Sequence, residues 1–325
     1  MAAGGGLFYL SFIAIVLEGE QPIEVLIRKG DSYASVETQL TTSNELQYGF
    51  LLKPIAKALK YDAYVKPGRY LIQPGSTILD IIRKLRSGNQ DAVNVTLNNI
   101  TFLHQLAGKV AAKLDIDSTE LANNLYNLEV AQQYGFAKES FAAMFLCNTY
   151  SFFWNTSIDG FLQRMQSEYQ RYWNEDRVNK AKQLNLEPEE VIILASIVNK
   201  ETNYRPEYPK VAGVYLNRLR KGMLLQADPT VKFAIGDMAI RRILNTHLQT
   251  DSPYNTYKYT GLPPGPICLP ELDVIEGVLN AQKHDYLYFC AIYGSGQHAF
   301  AVTYDQHLKN ARAYHQALNR EKIYR

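Results

Sequence analysis

Cysteine is scarce in this sequence: Cys147, Cys268 and Cys290 are scattered over 325 residues, with no CxxC pair and no Cys/His ligand spacing. That scatter argues against a zinc module and a disulfide scaffold, although one bridge stays open, and no metal is expected. Net charge is sparse as well. Lysine plus arginine (34) nearly cancel aspartate plus glutamate (32), leaving +2. So small a balance provides no long-range electrostatic footprint, and no nucleic-acid partner is expected. A glycine-rich phosphate loop of Walker or Rossmann form is absent, and no cofactor is expected. His298 and His307 invite a serine-triad reading, but no Gly-x-Ser-x-Gly elbow accompanies them. They read instead as structural residues or as part of a cleft lining. Asn94-Val95-Thr96 and Asn155-Thr156-Ser157 match the glycosylation sequon, a tripeptide too common to carry weight.

Long apolar runs are missing too. Leu7 to Leu17 reads LFYLSFIAIVL without a charge, whereas a full membrane span takes about 20 apolar residues. The run also lacks the basic flank and small-residue cleavage site of a secretory signal. Two readings stay open, the remnant of a single N-terminal anchor over residues 1–20 or a buried strand. The anchor is the favoured expectation. It would make the protein single-pass in the cytoplasmic (inner) membrane, with everything after about Glu20 on the extracytoplasmic side.

What is present is an ordinary globular composition, 46% hydrophobic and 20% charged. The length suits two domains and a core large enough to need no covalent staple. Tyrosine is abundant, with 23 residues. Its ring can stack on a sugar face while its hydroxyl bonds, yet tyrosine is equally ordinary in half-buried strands, so the count decides nothing.

The fold class expected is α+β, with a small α/β subdomain over residues 21–95 and a larger α+β domain over 96–325. Ile23 to Ile27 is β-prone, Gly30 permits a turn, and Asp31 or Ser32 can cap a helix from Tyr33 to Leu40. The pattern returns in GRYLIQPGSTILDIIRKLRSG. There a strand at Tyr70–Gln73 meets Pro74-Gly75, and a helix carries Ile78, Ile81, Ile82 and Leu85 on one face. A weaker echo spans residues 95–114. These strand–turn–helix units resemble LysM-type glycan-binding units, and they fit a plain packing module equally well. Residues 117–176 read as mainly helical, interrupted by the aromatic stretch MFLCNTYSFFWNTS.

Chemistry concentrates in LEPEEVIILASIVNKETNY, Leu186 to Tyr204. Pro188 suits a first helical turn, and Glu189 and Glu190 sit where the helix dipole favours negative charge. Val191 to Val198 is apolar on nearly every face, which predicts a buried helix. Helical spacing puts Glu201 on the same face as Leu194, Ile197 and Val198. A carboxylate beside apolar side chains is costly to ionise, so its pKa should rise, as proton donation at neutral pH requires. The competing reading places Glu201 at an exposed helix end, paired with Lys200.

The segments that follow shift the balance. An amphipathic helix, VAGVYLNRL, precedes LLQADPTVKFAIG. A Pro-, Gly-, Asn- and Tyr-rich loop, DSPYNTYKYTGLPPGPICLP, suits rigid presentation of polar groups, and a hairpin is expected from Tyr286–Ile292 and His298–Val302. ASIVNKET, RLRKGMLLQADPT, SPYNTYKYTGLPPGPI and YLYF…GQHAF, in this order over the C-terminal half, resemble the MltG/YceG-like family of endolytic murein transglycosylases.

The resemblance implies that Glu201, the Glu of the KET triplet, is catalytic. It would be the acid, and then the base, of a lytic cleavage that ends nascent glycan strands in 1,6-anhydroMurNAc. Gln226, Asp228, Thr230, Tyr254, Asn255 and Tyr257 are the polar and aromatic residues of the shared motifs suited to holding sugars. Asp228-Pro229-Thr230 could equally cap a helix, and Tyr254 and Tyr257 could equally pack. The partners implied are peptidoglycan strands and peptidoglycan synthases (penicillin-binding proteins). Many relatives read VEKET where this chain has Asn199, and tend to carry Pro and Glu where it has Cys147 and Ser151. Two alternatives stay open: a non-catalytic glycan-binding scaffold, and a hydrolase using Asp228 or Asp251 as second carboxylate.

Overall fold

A computed structural model describes residues 20–42 and 46–320. The apolar run Leu7–Leu17 lies outside the described residues. Among the described residues no helix is long and apolar enough to cross a membrane. The chain forms two compact units. One comprises residues up to Val95 together with 110–117 and 150–160, and the other comprises 96–109, 118–149 and 161 onward.

The first unit begins with β1 (Ile23–Ile27), whose alternation is regular: Ile23, Val25 and Ile27 are buried while Glu24 is exposed. Next come α1 (Tyr33–Thr42), a 3-10 turn at Gly49–Leu51 and α2 (Leu52–Ala58). β2 (Gly68–Ile72) then returns antiparallel to β1, with Ile23 opposite Ile72 and Ile27 opposite Gly68. The strand–turn–helix patterns that look successive in sequence therefore share one sheet and one core. That core joins Val25, Ile27, Val36, Leu40, Leu52, Tyr61, Tyr70 and Ile82. On α1, the Gln39 side-chain amide bonds both the Leu26 N–H and the Leu26 carbonyl at 2.9 Å, so it satisfies backbone groups of β1 as a neighbouring strand would.

α3 (Ile78–Ser87) opens on a reciprocal Thr77/Asp80 capping box and ends at Gly88 in the left-handed region. Ile78, Ile81, Ile82 and Leu85 are buried, as the spacing predicts. β3 (Val93–Thr96) follows, then α4 (Leu103–Ala111), α5 (Ser118–Leu125) and α6 (Leu128–Gln133). β3 pairs with β4 (Thr149–Phe152). The segments 110–117 and 150–160 return to the first unit, where Asp115 N–H bonds the Trp154 carbonyl at 2.8 Å and the Arg28 guanidinium covers the Trp154 ring at 5.6 Å.

α7 (Ile158–Tyr172), which from Phe161 onward belongs to the second unit, and α8 (Glu175–Gln183) lead to α9 (Pro188–Glu201), whose residues Val191 to Val198 are all buried. α9 packs against α10 (Tyr208–Arg220), α11 (Asp228–Ile235) and α13 (Leu272–Leu279), with the short α12 (Asn245–Leu248) between the last two in sequence. β5 (Tyr288–Ala291) and β6 (His298–Ala301) form the expected hairpin, the first strand three residues and the second one residue shorter than expected, and α14 (Tyr304–Arg320) packs on it.

Close approach fixes this layer. A Cβ on Gly213 of α10 would lie 2.5 Å from the Gln282 carbonyl oxygen and 2.6 Å from His284 Nε2. Gly213→Ala adds helix propensity, but a backbone carbonyl has no rotamer by which to retreat, and overpacking should win. Denaturant melts should show a loss of about 1–3 kcal/mol. An unchanged or raised midpoint would mean that the α10 contact is loose.

Candidate active site

The second unit holds a cleft of about 310 Å³ whose lining includes Glu201, Tyr215, Arg218, Gln226, Asp228, Tyr257 and His307. Glu201 is the last helical residue of α9, and it is partly open to the cleft. Its carboxyl accepts a 2.7 Å hydrogen bond from the hydroxyl of buried Tyr215 on α10. Burial pushes the Glu201 carboxyl up from 4.5 to about 7. The Tyr215 bond, Lys232 and Arg218 pull it down, while the Asp228 charge raises it. The helix C-terminus, where the backbone dipole is negative, favours the neutral form as well. Tyr215 is itself held well above its ordinary value by burial and by Glu201, so it remains a donor.

Arg218, one turn beyond Tyr215, braces the cleft without using a carboxylate. Its Nε donates to the Leu287 carbonyl at 2.7 Å, and one terminal nitrogen donates to the carbonyls of Leu224 and Leu225, both at 3.0 Å, and to Gln226 Oε1 at 3.2 Å. Its guanidinium also lies 5.1 Å from the Tyr288 ring centroid. Gln226 occupies the left-handed region at φ 52, a strained position for a residue with a side chain. Arg218 and the 3.1 Å bond from Gln226 N–H to the Thr256 carbonyl hold it there.

The six motif residues separate by position. Gln226, Asp228 and Tyr257 line the cleft with Glu201, and the Tyr257 hydroxyl donates to Asp228 at 2.6 Å. Thr230 and Asn255 are buried and hold loops. Thr230 bonds the Ala227 carbonyl and Thr256, and the Asn255 amide donates to the carbonyls of Leu248 and Thr250. Tyr254 packs on Phe233 at 4.7 Å, with its hydroxyl 3.4 Å from the Glu139 carbonyl, and it is not among the cleft-lining residues. Asp251 is exposed and engaged by Lys258 and Tyr259, and it does not line the cleft.

The GLPPGPI run is architectural. Gly265 sits against the Glu139 carbonyl, and Ile267 N–H bonds Ser196 Oγ of α9 at 3.0 Å. The departures noted in sequence are also structural. Asn199 Oδ1 accepts from the Glu271 N–H at 2.8 Å, the Cys147 thiol donates to the Leu269 carbonyl, and Ser151 bonds Asn94. All three cysteines are free. Tyr215, Arg218, Tyr288, Phe289 and Tyr304 line the cleft without having been singled out in sequence. The available signal was a Tyr and an Arg three apart in VAGVYLNRL, a helical stretch in which Asn217 is the only other polar side chain.

Fold and site thus define an α+β protein with a protonatable carboxyl at the end of a buried helix, facing an open groove. The model of the YceG-like family matches residues 25–313, and the chain belongs to that family. It is similar to the endolytic murein transglycosylase of Bacillus subtilis (strain 168), 28% identical over 343 residues that cover 96% of this chain and 90% of the relative. It is also similar to the endolytic murein transglycosylase of Streptococcus pneumoniae (strain D39), 26% identical over 95% of this chain but 62% of that relative's length. Among solved structures, a yceG-like protein from Listeria monocytogenes matches with a TM-score of 0.58 and 25% identity, over 90% of this chain and 99% of that one.

The Glu201 shift has a consequence for stability. A folded pKa near 7, above the unfolded 4.5, means that folding favours the protonated form. Stability is therefore intact below about pH 4.5 and falls as pH rises through 7. Glu201→Gln removes that penalty. Its Tm should exceed that of the parent at pH 8 and match it at pH 4, and thermal melts at the two pH values check this. An equal offset at both would contradict the shift.

Proposed function

We propose that this protein is a lytic transglycosylase that cleaves the MurNAc–GlcNAc bond within nascent peptidoglycan strands, with Glu201 as its acid and base. The observation that carries the reading is the Glu201 carboxyl, pushed up to about 7 by burial, open to a groove and held by Tyr215. The names of the Bacillus and Streptococcus relatives support the same reaction class.

Protonated Glu201 donates to the glycosidic oxygen, the MurNAc C1–O bond breaks, and the GlcNAc hydroxyl leaves with the proton. The MurNAc C6 hydroxyl then attacks C1 and closes the 1,6-anhydro ring, giving its proton to the Glu201 carboxylate. The carboxyl is restored, and no water is consumed. Tyr215 steadies the ionised intermediate state by donating to the carboxylate. The 2.6 Å bond from Tyr257 holds Asp228 beside the groove, where it serves sugar binding. Gln226, presented by its strained backbone, serves the same purpose.

The wider setting belongs to the same proposal. An N-terminal anchor in the cytoplasmic membrane places the catalytic unit on the extracytoplasmic side, the LysM-like first unit binds glycan, and peptidoglycan synthases supply the strands. A C-terminal reporter active only in the cytoplasm would overturn that placement.

Two measurements test the chemistry. Mass analysis of products from purified glycan strands should find 1,6-anhydroMurNAc ends, and Glu201→Gln should lose about 10²–10⁴-fold in rate or more while staying folded. Asn199→Glu should leave the reaction type unchanged. Reducing-end MurNAc as the main product would make water the nucleophile and Asp228 the first candidate for the second carboxylate. The pH profile is the other test. Because the acid must be protonated, the rate should fall as pH rises through about 7. A rate still climbing from pH 6 to 8 would contradict Glu201 as the acid.

A further inference from the structure

Away from the cleft lining, Glu207 and His298 form a nearly enclosed carboxyl–imidazole pair, with side chains 9% and 11% exposed. Glu207 closes the 3-10 turn Arg205–Glu207, which joins α9 to α10 just past Glu201, and His298 opens β6. Both carboxyl oxygens are spent on this one residue. The His298 backbone N–H donates to Oε1 at 2.9 Å, and His298 Nδ1 lies 2.7 Å from Oε2. Backbone and ring are therefore fixed together.

That ring begins a line of contacts that ends at the acid. His298 meets Phe289 of β5 edge to face, with centroids 5.3 Å apart at 88°. Phe289 meets the buried Tyr215 ring in the same manner, at 5.9 Å and 87°. The Tyr215 hydroxyl then holds Glu201 at 2.7 Å. Phe289 and Tyr215 both line the cleft, so a displaced Phe289 ring opens that corner to water.

The hairpin is tied to α10 at two places. Towards the C-terminal end of α10, Asn217 donates to the carbonyls of His284 and Tyr286, and Arg218 to that of Leu287. At the N-terminal end the tie is Glu207 on His298, beside the Lys210 ammonium 5.0 Å from the Phe300 centroid. Tyr215 and Phe289 meet between the two. Two-stranded hairpins are marginal by themselves, so the seat of this one depends on such ties. Burial is the largest influence on the Glu201 proton, followed by Tyr215, Asp228, Lys232 and Arg218, and Tyr257 also faces that carboxyl across the cleft. Glu207 does not figure among them, so it reaches the acid through packing.

We propose that Glu207 is a positioning residue of the cleft: through His298 it seats Phe289 against Tyr215 and so keeps the Glu201 carboxyl shielded from water. The proposal rests on the acid–base reading of Glu201. It adds the residue that maintains the surroundings of the acid from outside the cleft.

The test is the titration of the Glu201 carboxyl in the free protein, read from its carbon resonance, with the pH–rate profile on purified glycan strands beside it. Glu207→Ala removes the tie. The midpoint should fall from about 7 by about one pH unit as water reaches the acid, and the high-pH limb of the rate should move with it. Glu207→Gln keeps an oxygen for the His298 N–H and offers an amide hydrogen to Nδ1 in the other imidazole tautomer. It should restore the parent midpoint although it carries no charge. Breaking a buried pair is costly, so His298→Ala supplies a second route to the same state. It leaves a backbone N–H for Glu207, deletes the ring that seats Phe289, and should shift the midpoint downward as well. A folded Glu207→Ala or His298→Ala protein with the parent midpoint would overturn the proposal, and loss of folding in both would assign the pair to the fold alone. Gln falling as far as Ala would overturn it too, because charge rather than contact would then be the cause. The expected titrations in a parent protein that cleaves no glycan would overturn the cleavage reading alone.

Discussion

The cleft depends on one compromise, a carboxyl placed at the end of a helix that is otherwise buried and apolar. Val191 to Val198 anchor α9 on all sides, so Glu201 is delivered to a fixed point with few alternative positions. The same burial makes its ionised form costly, and a pKa near 7 follows. An unrelieved burial would trap the proton. Tyr215 and the cations Arg218 and Lys232 lower the cost enough for the group to pass between its two forms near neutrality. That poise is what a residue serving as acid and then base requires.

Everything around Glu201 keeps that geometry stiff. Arg218 ties α10 to three carbonyls on two separate segments, which closes the 224–226 turn against the start of β5. Thr230, Asn255 and Thr256 then lash the loop from 248 to 258 onto the N-terminus of α11. Polar side chains carry much of this bracing, yet all of those named are bonded, so they rigidify the loop without an unsatisfied polar group. Gly213 and Gly265 allow the close backbone contacts that a Cβ would block.

Much of this was legible along the chain. The period-2 strand at Ile23–Ile27, the capped helix at Ile78–Ser87 and the buried helix ending at Glu201 follow from local pattern and turn chemistry, and each lies where the pattern places it. Motif membership was less informative about roles. Gln226, Asp228 and Tyr257 reach the cleft while Thr230, Asn255 and Tyr254 do not, because a motif does not separate residues that hold a loop from residues that face a ligand. Tyr215 and Arg218 were hidden inside an ordinary amphipathic pattern. The stacking of His307 on Tyr288 depends on a hairpin and helix far along the chain, a juxtaposition that periodicity cannot reach. The antiparallel closure of β1 on β2 was hidden for the same reason: two similar local patterns say nothing about which strand pairs with which.

The central claim is that the Glu201 carboxyl exchanges its proton near neutrality because of where α9 ends. The titration of that carboxyl tests this most directly, read from its carbon resonance in protein labelled at glutamate and assigned by its loss in Glu201→Gln. The account predicts a midpoint near pH 7, moving higher in Tyr215→Phe as the donor to the anion is removed. A midpoint at the ordinary glutamate value of about 4.3 would contradict it.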